Sequence, residues 1–243
     1  MIITDNKPWD EIKATLEDFK VKSVVLASCG VCSAKVGTGG TEGAAKMEKK
    51  LIENGFKVIT TVVIDEPCDN RMSKQAFKKI RTEIDEADAV ISLGCGMGTQ
   101  SMSKLTKILA KTPVITALNT IFMGETLRMG KFYERCKACG DCFLNETGGV
   151  CPITQCAKAM LNGPCGGSVD GMCEVGNYTK PCGWVEIYNA LDEIDRLDLF
   201  LKVRKPRDWS LSSSKRELII GREGPTPGVR SSPTSPASSS RGD

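Results

Sequence analysis

The sequence predicts an α/β protein: a small flavodoxin-like parallel sheet, followed by a cysteine-rich, metal-stabilised irregular domain with a C-terminal helix. Three observations lead there. Short β-type runs alternate with helical periodicity as far as about residue 118. Neither periodicity then survives for long. Eight of the twelve cysteines fall within residues 136–182.

Trp9, Ile12, Leu16 and Phe19 recur at helical spacing and place a helix within residues 1–20. Residues 23–29 (Ser-Val-Val-Leu-Ala-Ser-Cys) make the first strand, which runs into Cys29-Gly-Val-Cys32. A turn rich in glycine (Gly37, Gly39, Gly40, Gly43) leads to a helix that Gly55 stops. Residues 56–64 are the second strand, ending in Asp65-Glu-Pro-Cys68, and residues 73–85 the next helix. Residues 87–93 are the third strand, entering Gly94-Cys95-Gly96; a helix over 100–110 and a fourth strand over 113–118 follow. Such alternation argues for parallel strands with right-handed crossovers. In the flavodoxin-like order the first strand lies between the second and third. Cys29, Cys32, Cys68 and Cys95 then all reach the carboxyl edge of the sheet, where such folds bind ligands. They form one candidate four-thiolate site.

Residues 136–182 are interrupted by eight glycines and Pro152, Pro164 and Pro181. Burial of apolar side chains cannot fix such a segment, whereas a thiolate-ligated centre ties four distant positions together. Residues 184–203 read as a helix with the apolar stripe Ile187, Leu191, Ile194, Leu197 and Leu201. Beyond Trp209 the composition turns to Ser, Pro and Gly. The expected organisation is a cluster-binding α/β domain over 1–125, a cysteine-rich metal or iron–sulfur domain over 126–209, and a disordered tail over 210–243.

Composition narrows the chemistry. The balance of 33 basic against 30 acidic residues, +3 in all, is too even to imply nucleic acid or an anionic membrane, and aromatics at 5% weaken base stacking. No apolar run reaches a membrane span and no signal-peptide pattern opens the chain, so a cytoplasmic protein is expected. Cysteines in that compartment favour metal ligation over disulfides. The chain has no histidine. That removes mixed Cys/His zinc sites, Rieske centres and imidazole bases. Iron–sulfur clusters and zinc sites of four cysteines are left.

Cys136-x2-Cys139-x2-Cys142 is the most specific motif, since three thiolates so spaced wrap a cubane. The fourth ligand commonly precedes a proline, as Cys151-Pro152 does, although eight residues separate it from Cys142. A zinc ribbon is the alternative. Cys156, Cys165, Cys173 and Cys182, nine, eight and nine positions apart, suit either a second cluster or a metal ion. For Cys29 and Cys32 a thioredoxin-like dithiol is the competing reading, and for Cys68 and Cys95 a role as small buried hydrophobes. The run Gly37-Thr-Gly-Gly-Thr-Glu-Gly43 lacks the Gly-Lys-Ser/Thr ending of a P-loop and is better read as a turn beside the thiols.

At Cys136-Lys-Ala-Cys-Gly-Asp-Cys142, Thr147-Gly-Gly-Val-Cys-Pro152, Asn162-Gly-Pro-Cys-Gly-Gly167, Gly171-Met-Cys-Glu174 and Cys182-Gly-Trp184 the chain resembles a known family. It looks like the accessory (V) subunit of the two-subunit methylenetetrahydrofolate reductase of acetogenic and other anaerobic bacteria, the methylenetetrahydrofolate reductase C-terminal domain family. The resemblance implies an iron–sulfur subunit without catalytic residues of its own, which passes electrons to the flavin of a separate catalytic barrel subunit in one-carbon metabolism. It further implies ferredoxin or another electron-donor complex as partner, and two or three [4Fe-4S] clusters. Cys29, Cys32, Cys68, Cys95, Cys136, Cys139, Cys142 and Cys151 would hold clusters. Cys156, Cys165, Cys173 and Cys182 would hold a further metal, with Zn2+ as the alternative at one four-cysteine site. A zinc-stabilised assembly module without a redox role is the alternative function.

Overall fold

Unbroken burial along the central strands sets the architecture. In the computed structural model, which describes residues 1–213 and Arg216, strands β2 (Ser23–Cys29) and β4 (Ala89–Leu93) are apolar on both faces. Val24 and Leu26 with Ala89, Ile91 and Leu93 point to one side, and Val25, Ala27 and Val90 to the other. A strand buried on both faces needs cover on both. Helices α1 (Trp9–Asp18), α2 (Cys32–Val36) and α3 (Gly40–Glu53) lie along the chain before β3 (Lys57–Ile64). Ile12 and Leu16 of α1 and Ala44, Met47 and Leu51 of α3 fill the first side. The second side receives Phe77 from α4 (Asn70–Lys79), Ile84 from α5 (Arg81–Glu86) and Met102 and Leu105 from α6 (Gly96–Leu109). With β5 (Val114–Thr116) the strands form a four-stranded parallel sheet in the order β3-β2-β4-β5. The first-entered of these strands does lie between the next two.

Several elements differ from the sequence reading. The lead-in is a strand, β1 (Ile2–Asn6). It pairs antiparallel with β6 (Leu118–Arg128), which pairs with β7 (Lys131–Cys136), making a second, three-stranded sheet. Alternation in β6 is blurred by runs of exposed residues on both faces, so period 2 gave no signal. The helix expected over 73–85 is two helices broken at Ile80, whose backbone leaves the helical region. The long C-terminal helix is only α8 (Gly183–Asp192). Asp195 adopts a left-handed backbone (φ 54°), and the Arg196 amide turns back to the Leu191 carbonyl at 2.8 Å. Ile187 and Leu191 of the expected stripe are fully buried, whereas Ile194 and Leu201 face solvent.

The remaining elements are short: a 3-10 turn at Leu144–Glu146, α7 (Pro152–Gln155), and the two-residue strands β8 (Ser168–Val169) and β9 (Met172–Cys173). Residues 1–205 belong to one compact unit; the described residues beyond it are a separate unit with a 3-10 turn at Trp209–Ser212. Apart from 210–213 and Arg216, the tail expected to be disordered lies outside the described residues. Among those described, no helix is long and apolar enough to cross a membrane.

Candidate metal centres

The two inner strands of the parallel sheet both lead to thiols. Cys29 is the last residue of β2, and Cys95 is the N-cap of α6, two residues past β4. Cys32 opens α2, and Cys68 directly precedes Asp69, the N-cap of α4. Parallel strand order brings all four to the carboxyl edge. Pro67 and Cys68 abut Gly98 in the first turn of α6, so the α4 and α6 starts are neighbours. Burial by the surrounding chain pushes the Cys68 thiol above its ordinary value, and the Cys95, Cys29 and Cys32 thiols push it further. The four groups therefore share one electrostatic neighbourhood. Cys29 and Cys95 are buried, but Cys68 is exposed, which removes its reading as a small buried hydrophobe.

The glycine run is a packing device at this edge. A β-carbon on Gly39 would lie 2.7 Å from the Ser33 Cβ and 3.0 Å from the carbonyl oxygens of both Cys29 and Leu93. Only glycine lets the turn close over the ends of β2 and β4. Thr38 anchors the same turn through its hydroxyl, 2.7 Å from that of Thr4 in β1. Beside Cys32, the hydroxyl of fully buried Ser33 has no hydrogen-bond partner among the described residues. Across the edge, the Gly96 amide donates to Thr120 Oγ1 at 2.8 Å, so β6 also braces the Cys95 turn. Neither Ser33 nor Thr120 was singled out by sequence, because a single hydroxyl carries no spacing signal.

The second sheet delivers the next set. Cys136 ends β7, and the Ala138 amide donates to its sulfur at 3.2 Å. Cys139 and Cys142 follow in an open loop, with Cys139 Sγ 3.9 Å from the Asp141 carbonyl. Cys151 is brought back to this loop by side chains of α7. Gln155 Nε2 donates to the Glu134 carbonyl at 2.8 Å, and Thr154 Oγ1 to the Arg135 carbonyl at 3.2 Å. Arg135 in turn reaches Gln155 Oε1 at 3.2 Å. The residues flanking Cys151 are thus tied to those just before Cys136, despite the eight-residue gap.

Cys156, the C-cap of α7, belongs to the third set. Cys182 is the N-cap of α8 and buried with Trp184, Ile187 and Leu191; Cys156 and Cys173 pack on that cluster. A β-carbon on Gly183 would stand 2.9 Å from the Cys156 amide nitrogen, so the backbones meet there. Cys173 is held by its amide to the Lys180 carbonyl and Cys182 by its own to the Gly171 carbonyl, both at 2.8 Å. Cys165 stands apart and exposed, its sulfur 3.9 Å from Glu174 Oε1. Glu174 pairs with Lys158, whose ammonium is raised above its usual value chiefly by that carboxylate. Glu174 sits in a motif quoted from the sequence, yet nothing in its spacing gave it a role.

None of the twelve cysteines is joined in a disulfide. Among the described residues, no group of three or more Cys, Asp and Glu side chains forms a site for a single metal ion. Residues 115–210, from β5 past α8, match the family described as methylene-tetrahydrofolate reductase C terminal. This segment belongs to that family. The assignment agrees with the cysteine motifs between residues 136 and 184. The reductase-family segment therefore takes in two of the three cysteine sets and leaves the first, on the parallel sheet, outside it. No curated protein matches the chain. A solved LacI family transcriptional regulator from Arthrobacter sp. FB24, in complex with lactose, matches at 16% identity with a TM-score of 0.32. The match covers 40% of this chain and a third (33%) of the regulator, and the likeness is too slight to carry an argument.

Proposed function

We propose that this chain is the iron–sulfur electron-transfer subunit of a methylenetetrahydrofolate reductase complex, passing electrons to the flavin of a separate catalytic subunit. The observation that carries the reading is the gathering of Cys29, Cys32, Cys68 and Cys95 at one sheet edge, in a chain whose other end belongs to the reductase family. Four thiols gathered at one edge, where burial and the other three oppose deprotonation of Cys68, need a cationic group to become four thiolates together. A cubane fits such a set, because it spreads its ligands over four iron corners where a lone ion needs all sulfurs at about 2.3 Å. Bound there, a cluster supplies one-electron chemistry. The chain's own residues do the holding. Gly39 seals the edge, the α6 amino end favours negative sulfur at Cys95, and Thr120 fixes that turn.

Cys136, Cys139 and Cys142, with Cys151 returned by α7, suit a second cluster, and the Ala138 amide on Cys136 sulfur is the kind of bond that tunes a potential. For the third set a specific observation favours the structural alternative. Cys156, Cys173 and Cys182 pack on the apolar cluster around Trp184, as a closed zinc site would.

Iron, zinc and acid-labile sulfide counted per chain in anaerobically purified protein test both readings. The expected result is brown protein with about four iron and four sulfide per cluster at two or three sites. Colourless protein holding zinc alone overturns the redox role in favour of an assembly module. Cys68→Ser should lose the iron of one cluster and leave the rest; unchanged iron overturns the first site.

A further inference from the structure

We infer that the face formed by α4 and α6 is the docking surface for an acidic one-electron carrier protein. The inference rests on the electron-transfer reading only for the kind of partner; the surface itself stands on charge. Residues 70–80 and 96–114 contain no Asp or Glu. Over that span α4 and α6, which pack against each other, and the turn after α6 expose Lys74, Lys78, Lys79, Lys104, Lys107 and Lys111. Among the described residues, none of these six forms an ion pair. Some lysines elsewhere are paired: Lys13 and Lys49 each face a glutamate four residues on along their own helix. The opposite face is correspondingly mixed, with Asp10, Glu11 and Glu17 on α1 and Glu42, Glu48 and Glu53 on α3. Basic side chains thus gather on α4 and α6, beside an α5 that carries Glu83, Asp85 and Glu86 on the same side of the sheet.

Position selects the occupant. Both helices begin at the thiol edge, α4 just after Cys68 and α6 at Cys95. Cys68 is exposed there, and the first turns add Met72 and Met97, exposed at 37% and 53%. Flexible apolar side chains at the rim of a charged field are what a transient protein contact uses. A shallow depression of about 450 Å³ lies along α6, lined by Gln100, Ser103, Lys104, Lys107 and Ile108. Nucleic acid would also seek the lysines, but Phe77 of α4 is fully buried and neither helix shows an aromatic ring for stacking.

The test is binding, not turnover. Full-length chain is titrated by calorimetry with a purified small acidic bacterial-type ferredoxin and, separately, with a 20-base-pair DNA duplex, at several salt concentrations. The triple reversal Lys78→Glu, Lys104→Glu, Lys107→Glu should weaken ferredoxin binding by about tenfold or more and flatten its salt dependence. A reversal of equal charge on the other face and sheet edge, Lys46→Glu, Lys49→Glu, Lys57→Glu, should change it by less than about threefold. Equal losses in the two variants, no loss in the first, no binding of the wild type, or tighter binding of DNA each overturn the proposal. Iron and sulfide counted on the same samples keep this failure distinct from failure of the redox reading.

Discussion

The parallel-sheet region and the cysteine-rich region solve the same problem by opposite means. Around β2 and β4 two apolar layers close over a sheet buried on both faces, and the four thiols sit at its rim as additions. Between Cys136 and Lys205 the apolar cluster shrinks to Cys182, Trp184, Ile187 and Leu191 with its partly buried neighbours. The backbone there is contorted as well. Ala138, Ala159, Asp170, Asn177, Tyr178 and Asp195 all take positive φ without being glycine. Such conformations persist only where surroundings over-determine them. A scaffold with a large apolar core is thus joined to one with a small apolar cluster and a contorted backbone.

Stripping metal under anaerobic conditions should break the comparison most sharply. Structural thiolate centres contribute about 10 kcal/mol or more to small metal-dependent folds. Amide exchange over 136–200 should therefore rise to unprotected rates while β2 and β4 stay protected. Equal loss in both regions would show that the sheet also depends on its rim. The reverse experiment is Phe77→Ala, which empties a fully buried site and should cost about 3–5 kcal/mol in urea unfolding. Ile187→Ala, equally buried but beside the third thiol set, should cost about 2 kcal/mol in metal-loaded protein and more after stripping.

Gly39→Ala probes the join between core and rim. Its β-carbon meets two carbonyl oxygens of the strand ends at 3.0 Å, an overpacking worth about 1–3 kcal/mol. Iron at the first site should fall while the Cys136 set keeps its own. The smallest effect belongs to Asp88, whose carboxylate accepts from the Lys22 and Ser23 amides at 2.8 Å each. Those bonds hold its carboxyl below the usual carboxylate range. A depressed folded-state value means that this stability is complete above about pH 4 and is lost as pH falls through the folded value. Asp88→Asn should cost about 1 kcal/mol at pH 7, with the gap to wild type closing in acid. The cysteine-rich region should not notice.

The same division explains what could be read from the chain alone. The bounds of β2 and the order of the parallel strands were legible because a doubly buried strand writes an unbroken apolar run. The gathering of Cys68 with Cys95 followed from that order. The antiparallel sheet was not legible, since β6 is exposed along most of its length and its partner β1 lies over a hundred residues away in sequence. Nor was the break after Asp192, where a single left-handed Asp195 outweighs a continuing apolar stripe. In the cysteine-rich region spacing marked candidate ligands, but which of them the chain brings near one another depended on contacts such as Gln155 with the Glu134 carbonyl.

One small element has a disproportionate effect. The single turn of α7 has Cys151 at its front and Cys156 at its back, one belonging to each neighbouring thiol set. Five residues of helical rise separate them by only about 7–8 Å. A fixed charge at the third set would be felt by a cluster held at Cys151 across that distance. It would offset the cluster's single midpoint, and lengthening that one turn would shrink the offset.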